Sequence, residues 1–155
     1  AVLLSTWYNK IDRQKAQKLF LPVFLQETGK ILIASDIIQN DETTSFKSDV
    51  ETSNNLAELE RSYVGMTTAD VTTLVFEHWS FDEEVIDIIK YADEPNKAPD
   101  ELKEDANILN IIKTVVPVNS PFSPQSINFG LKKAENAGFD PEQLKMSIDI
   151  VSEFA

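Results

Sequence analysis

The stretch Phe24-Leu25-Gln26-Glu27-Thr28-Gly29-Lys30-Ile31-Leu32-Ile33-Ala34-Ser35-Asp36-Ile37-Ile38 decides how the rest of the chain is read. Two apolar helical patterns meet in it across one polar tetrad, Gln26-Glu27-Thr28-Gly29. Upstream, Leu19, Phe20, Val23 and Phe24 fall at helical spacing; downstream, Ile31, Ala34 and Ile38 do, with Leu32 and Ile37 widening the stripe. Apolar arcs this wide predict helices buried on most sides. A polar tetrad inside such a helix is costly unless its groups are paired, so it marks a site or the remains of one. Gly29 reads as a second bend or as the close approach of another backbone. Pro22 removes one ladder hydrogen bond and predicts a kink.

Working upstream, Asp12 is a good N-cap for a helix from Arg13 toward Leu25. Val2 to Tyr8 reads as the end of an earlier helix. With no Met before Ala1, the chain is expected to be a fragment of one domain, residues 1–155, without its N-terminal helices. Downstream, the helix from Lys30 ends near Gln39 and a polar loop follows. Phe46, Val50, Leu56, Leu59 and Tyr63 form a weak helical stripe that Ser53-Asn54-Asn55 interrupts, and Gly65 ends it. Thr67 and Asp70 predict a capping box, with Met66 and Val71 as its staple, before a helix over 68–79 whose core positions are Val71, Leu74, Val75 and Trp79. Ser80 and Glu83 predict a second box, opening a helix over 81–92 with Val85, Ile86, Ile88 and Ile89 on its apolar face.

Pro99 reads as the first residue of a helix that runs to about Val116, and its wide arc of Ile and Val places it centrally. The last two helices share one design. Phe122-Ser123-Pro124 and Phe139-Asp140-Pro141 each give an apolar residue, a capping Ser or Asp, then Pro at the first helical position. Ile127 and Leu144 are their staple partners, and Ala137-Gly138 is a C-cap signal between them. The fold class predicted is all-α, a compact bundle of about six to eight helices, from this repeated grammar of caps and apolar periods.

Composition sets bounds on function. The 155 residues suit one core, and 42% hydrophobic with 26% charged residues is ordinary for a globular chain. Cysteine is absent, which excludes disulfides and thiolate metal sites, and a reducing cytoplasm fits. No apolar run reaches membrane-spanning length. The net charge of −12 is concentrated in two segments. Residues 41–60 set six acids against Lys47, and residues 82–105 set ten against Lys90, Lys97 and Lys103. Such acidity argues against nucleic acid or an anionic membrane as partner, because phosphate contacts need clustered Lys and Arg. The single histidine, His78, precedes Trp79 and reads as a partly exposed helix residue. The acids Asp82, Glu83 and Glu84 read as charges favourable to a helix N-terminus.

The tetrad resembles the segment that reads His-Asp-Ile-Gly-Lys in HD-domain phosphohydrolases, where His and Asp bind metal. Gly29 and Lys30 match it; Gln26 and Glu27 stand where His and Asp would be. Further along, Glu60, Gly65, Trp79-Ser80-Phe81 and the run from Val85 to Pro95 resemble the HD-related output domain (HDOD) family, whose stretch reads Trp-x-hydrophobic and then His-His-x-Pro. Order and spacing carry this resemblance, which runs from about residue 14 to the end. In that pattern Thr68 stands where a His follows Gly65, and Tyr91 and Ala92 stand where the His pair would be. Lys113-Thr114-Val115-Val116 lies where a hydrolase supplies its last Asp.

The resemblance therefore implies an HD-like helical fold with a degenerate metal pocket at Gln26, Glu27, Thr68, Tyr91 and Ala92, framed by structural positions Gly29, Lys30, Gly65, Trp79 and Pro95. Of the aligned ligand positions only Glu27 keeps a ligating group, and one carboxylate does not hold a catalytic divalent ion. No catalytic residue, metal or cofactor is expected. Glu27 could pair with Lys30, or accept hydrogen bonds from Tyr91 or Thr68 across the old pocket. The function implied is a non-catalytic bacterial signalling module that meets a protein partner in the cytoplasm. The alternative is a metal-dependent HD-type phosphohydrolase with unusual ligands.

Overall fold

A computed structural model describes residues 1–53 and 55–154. Among them are ten α-helices and one 3-10 turn, so the all-α expectation holds. In order they are α1 (Val2–Tyr8), α2 (Arg13–Leu25), α3 (Lys30–Gln39), α4 (Thr43–Thr52), α5 (Leu56–Val64), α6 (Thr68–His78), α7 (Glu83–Lys90), a 3-10 turn (Pro95–Lys97), α8 (Asp100–Val115), α9 (Pro124–Asn136) and α10 (Pro141–Ser152). The helices outnumber the expected six to eight because Val2–Tyr8 counts as a helix of its own and the weak stripe between Phe46 and Tyr63 is two helices. Asn55 caps the second of these by accepting from Glu58 N. Asn54, part of the expected interruption, lies outside the described residues.

Helix α8 is central, as its arc implies. It buries Ala106, Ile108, Leu109, Ile111, Ile112 and Val115 and packs against α2, α7 and α9. Helices α1 and α10 pack on one another at one end of this core, where Trp7 meets Phe139 edge-on with ring centroids 5.6 Å apart. Asp105 is buried on α8 beside Lys15 and Lys18 of α2, at 3.2 and 3.0 Å, which joins the two helices by charge. No helix among the described residues is long and apolar enough to cross a membrane.

Capping follows the local chemistry closely. Asp12, Ser123 and Asp140 accept from Lys15 N, Ser126 N and Glu142 N. Thr67 and Asp70 form the expected reciprocal box, and Gly65 closes α5 at φ +80°, where a residue without Cβ is favoured. Two starts differ. Helix α7 is capped by Asp82, not Ser80, because the Asp82 carboxylate accepts from both Glu84 N and Val85 N. Pro99 precedes α8 as its N-cap and is not its first helical residue.

Three helices turn faces that their apolar patterns do not predict. Helix α2 buries Leu19 and Val23 but leaves Phe20 and Phe24 outside, and α3 buries only Ile33 and Ile37. Phe24 and Ile31 are 68% and 73% exposed, and Ala34 and Ile38 also face solvent. The expectation of burial on most sides is therefore corrected: each helix has one narrow inward stripe, offset from the widest apolar arc. On α6 the inward residues are Thr68, Ala69, Thr72, Thr73 and Phe76, while Leu74 and Trp79 are exposed. Threonine is tolerated inside because its hydroxyl can bond back along the helix. Thr72 Oγ1 donates to Thr68 O and Thr73 Oγ1 to Ala69 O, both at 2.7 Å. Only the methyl groups are left to pack.

Candidate functional site

The polar tetrad is not helical throughout. Gln26 to Gly29 form successive turns between α2 and α3, and the reason lies on α6. A Cβ added to Gly29 would sit 2.6 Å from Thr68 O and 2.8 Å from Thr72 N. Two backbones therefore touch at this glycine, which selects the close-approach reading over a bend alone. Gly29 N donates to Thr72 Oγ1 at 2.8 Å, and the same hydroxyl lies 3.3 Å from Gln26 O. Those bonds fix the link against α6 and aim Glu27 at α8.

Lys113 of α8 meets Glu27 there. Its Nζ lies 2.9 Å from Glu27 Oε1 and also pairs with Asp93 Oδ1. Lys30 pairs with Glu27 Oε2. Each Glu27 oxygen thus faces an ammonium, Lys113 on one side and Lys30 on the other. Asp93 Oδ2 accepts from Ala69 N at 2.8 Å, at the start of α6. Beside it, Glu60 of α5 is buried and accepts from Thr68 N and Thr68 Oγ1, both at 2.7 Å. Five segments thus converge: the α2–α3 link, α5, the start of α6, the residues after α7, and α8.

Charge state follows from this packing. Burial opposes ionisation of Glu27, but the Lys113 and Lys30 charges outweigh it and hold its pKa below the ordinary value. Asp93 is likewise held down by Lys113 and the Ala69 N–H against burial. Burial also works against the Lys113 ammonium, yet Asp93 and Glu27 raise its pKa overall, so Lys113 is charged. Glu60 is pushed up by burial, with the Thr68 bonds only partly offsetting it. At the rim, Lys133 donates to Asn110 Oδ1 and Thr114 Oγ1 at 2.8 and 2.9 Å, and burial with the nearby Lys113 charge lowers its pKa.

The residues named from sequence fall into place unequally. Glu27 and Thr68 are both in the cluster, although Thr68 bonds to Glu60. The pairing of Glu27 with Lys30 is the alternative realised. Tyr91 is corrected: it caps the end of α7, its ring lies 5.8 Å from Lys90 Nζ, and among the described residues its hydroxyl bonds to neither Glu27 nor Thr68. Asp93, two residues on, occupies the pocket instead. Ala92 is buried and contributes its carbonyl, which accepts from Asn110 Nδ2 at 2.7 Å. Pro95 opens the 3-10 turn after the site, and exposed Trp79 caps the C-terminal end of α6, whose N-terminal end meets the cluster. His78 is exposed.

Lys113 and Asp93 were not singled out. The signal for Asp93 was present, since His-His-x-Pro counted back from Pro95 lands on Ala92 and Asp93. Glu27 is therefore not the last ligating group of the pocket; Glu60 and Asp93 are carboxylates as well. These residues nevertheless do not fit a divalent ion. An ammonium tethered to α8 already lies between Glu27 and Asp93, and among the described residues no group of three metal-ligating side chains is close enough to hold one.

Comparison with known proteins agrees with the sequence resemblance. The sequence model of the HDOD domain matches residues 1–95. The crystal structure of a virulence factor from Campylobacter jejuni subsp. jejuni superposes with a TM-score of 0.68 at 22% identity, covering 94% of this chain and 56% of that one. The chain thus spans little more than half the length of that structure, and the likeness concerns the fold. A search of curated proteins finds no match.

Proposed function

The chain belongs to the HDOD family, and we propose that it is a non-catalytic regulatory module that acts in bacterial cytoplasm by binding another protein. The observation that carries this reading is the position of Lys113 Nζ, 2.9 Å from Glu27 and paired with Asp93. A metal hydrolase needs an open coordination position where the ion activates water. Here an ammonium attached to α8 lies between Glu27 and Asp93 where an ion would have to sit, which supports a cluster that holds five segments together.

A second feature supports interaction over catalysis. Phe20, Phe24, Ile31, Leu32 and Ile38 are exposed on the two helices that flank the tetrad. Exposed large apolar side chains mark protein contact where they form one contiguous patch, which is the arrangement this reading requires of them. The purified chain should show no hydrolysis of bis-p-nitrophenyl phosphate above background with Mn²⁺ or Mg²⁺, and no stoichiometric metal by elemental analysis. Metal-dependent turnover that Glu27→Gln abolishes would replace this reading with that of an HD-type phosphohydrolase.

A further inference from the structure

Helices α8 and α9 frame one side of a broad trough, and they line it largely with polar residues. Asn107, Asn110 and Thr114 recur at helical spacing on one face of α8, as Phe129, Lys132 and Lys133 do on α9. Both helices lie beyond residues 1–95, which the family model matches. In a chain of net charge −12, this pairing of amides with two ammoniums is a local exception.

Lys133 carries a charge without a counterion. Its Nζ donates to Asn110 Oδ1 and Thr114 Oγ1, both neutral, at 2.8 and 2.9 Å. An ammonium has three protons, so one is left for the trough, onto which this exposed residue opens. Crowding against α8 and the Lys113 charge both work against the ammonium, and Asp93, which favours it, is already paired with Lys113. Other acids of the trough are committed elsewhere. Glu94 pairs with Arg61 and Lys97, Glu104 pairs with Lys15, and Asp140 caps α10. Asp100 opens α8 about 15 Å along the helix from Asn110, and Glu51 belongs to α4. Among the described residues neither Lys132 nor Lys133 meets a carboxylate at ion-pair distance.

Phe129 adds an independent observation. It lines the trough half-buried, one turn before Lys133 on the same face, and it is not among the side chains that pack on the core. A ring with no core to fill, beside two ammoniums, offers a flat apolar surface to a ligand whose charge those ammoniums hold. Two cations match a phosphate monoester, which carries about −1.5 to −2 at pH 7, better than they match a single carboxylate. We propose that the α8–α9 side of the trough binds a small aromatic phosphate monoester of the nucleotide kind, with its phosphate on Lys133 and Lys132 and its ring over Phe129. One phosphate needs only these few donors, whereas a nucleic-acid backbone would meet the acidic remainder of the chain. The site goes beyond the regulatory reading and stands whether or not the chain is catalytic, because it uses neither Glu27 nor the exposed face of α2 and α3.

Adenosine monophosphate is the probe, with adenosine and inorganic phosphate as controls that each carry half of its chemistry. Titration of the purified chain followed by heteronuclear NMR should give saturable shifts at Asn110, Phe129 and Lys133, with a Kd below about 1 mM. Each control should bind at least about tenfold more weakly. Lys133→Gln removes the charge and should weaken binding of the monophosphate about tenfold, and Phe129→Ala should bring it down to the level of inorganic phosphate. Lys132→Gln, at an exposed position of α9, serves in place of Lys133→Gln if that variant does not fold. Absence of saturable binding of the monophosphate, either control binding as tightly as it does, or undiminished affinity in the lysine variant would each overturn the proposal.

Discussion

Lys113 Nζ lies 2.9 Å from Glu27 Oε1, and this contact ties the last turn of α8 to the turn between α2 and α3. With Asp93 on its other side, Lys113 is the hub of a charge cluster whose carboxylates come from segments far apart in sequence. Removing one partner of a buried pair leaves an uncompensated charge, which costs about 3–5 kcal/mol. Asp93→Asn is expected to fall in that range, because Asp93 also accepts from Ala69 N at the start of α6. Glu27→Gln should cost less than Asp93→Asn, since Glu27 side chain is 22% exposed against 7% for Asp93. Urea denaturation of the two variants checks the order.

Gly29 is expected to reject any side chain. A Cβ there would strike two backbone atoms, Thr68 O and Thr72 N, which cannot move aside as a side chain tip can. Gly29→Ala should destabilise by about 1–3 kcal/mol, the range for overpacking a close contact. Gly65→Ala is the control: nothing lies within 4 Å of its added Cβ, and only the positive φ opposes it. Its cost should stay near 1 kcal/mol. Thermal melts that rank Gly65→Ala as the more damaging change would refute the close-approach assignment.

Thr72→Val tests the same joint from the other side. Valine keeps the packed shape but removes the hydroxyl that accepts from Gly29 N and donates to Thr68 O. The stranded Gly29 N–H should cost about 1–3 kcal/mol, and Thr72→Ser should recover most of it. Hydrogen exchange at the Gly29 amide reads this directly: protection lost in Thr72→Val and retained in Thr72→Ser.

How much of this was legible in the sequence depends on the range of the interaction concerned. Caps at Asp12, Thr67, Ser123 and Asp140 are local, so residue order alone identifies them. The central place of α8 follows from its wide arc of Ile and Val. The inward face of α6 was not legible, because threonines that bond to their own helix behave as apolar residues only once Gly29 is known to press on them. The outward turn of Phe24 and Ile31 was hidden for the opposite reason: an apolar residue left on the surface reads like one meant for the core. At the site, Lys113 aligned with a lost Asp looked like the loss of a ligand. Its charge acquires meaning only beside Asp93 and Glu27, which meet it from far along the chain.

The exposed apolar residues carry their own expectation. Phe24→Asp and Ile31→Lys should leave stability within about 0.5 kcal/mol of the parent, as surface changes do. A photocrosslinker at Phe24 should capture a protein in the native cell, while one at exposed Glu135 of α9 should not. Loss of the Phe24 adduct in Ile31→Lys would place both residues in one contact surface. Equal capture from both positions would mean that the α2–α3 face has no special role.

The most direct measurement compares unfolding free energies of the parent and Lys113→Met at pH 7 and pH 5. In the parent, the pKa values of Glu27 and Asp93 are depressed below 4.5 and 3.8. Their contribution is present above those values and is lost only as pH falls through the lower folded pKa values, so it is intact at both pH values. Without the Lys113 ammonium both folded pKa values rise, that of Asp93 the more because Lys30 stays paired with Glu27, and the variant gains stability as protons bind on acidification. Glu60, raised in the parent although the Lys113 charge partly lowers it, is raised further in the variant and narrows the gap in the same direction. Lys113→Met should therefore be less stable by about 3–5 kcal/mol at pH 7, with the gap narrowing at pH 5. A gap that is absent at pH 7, or that is the same at both pH values, would contradict the assignment of Lys113 as the cation that holds this cluster together.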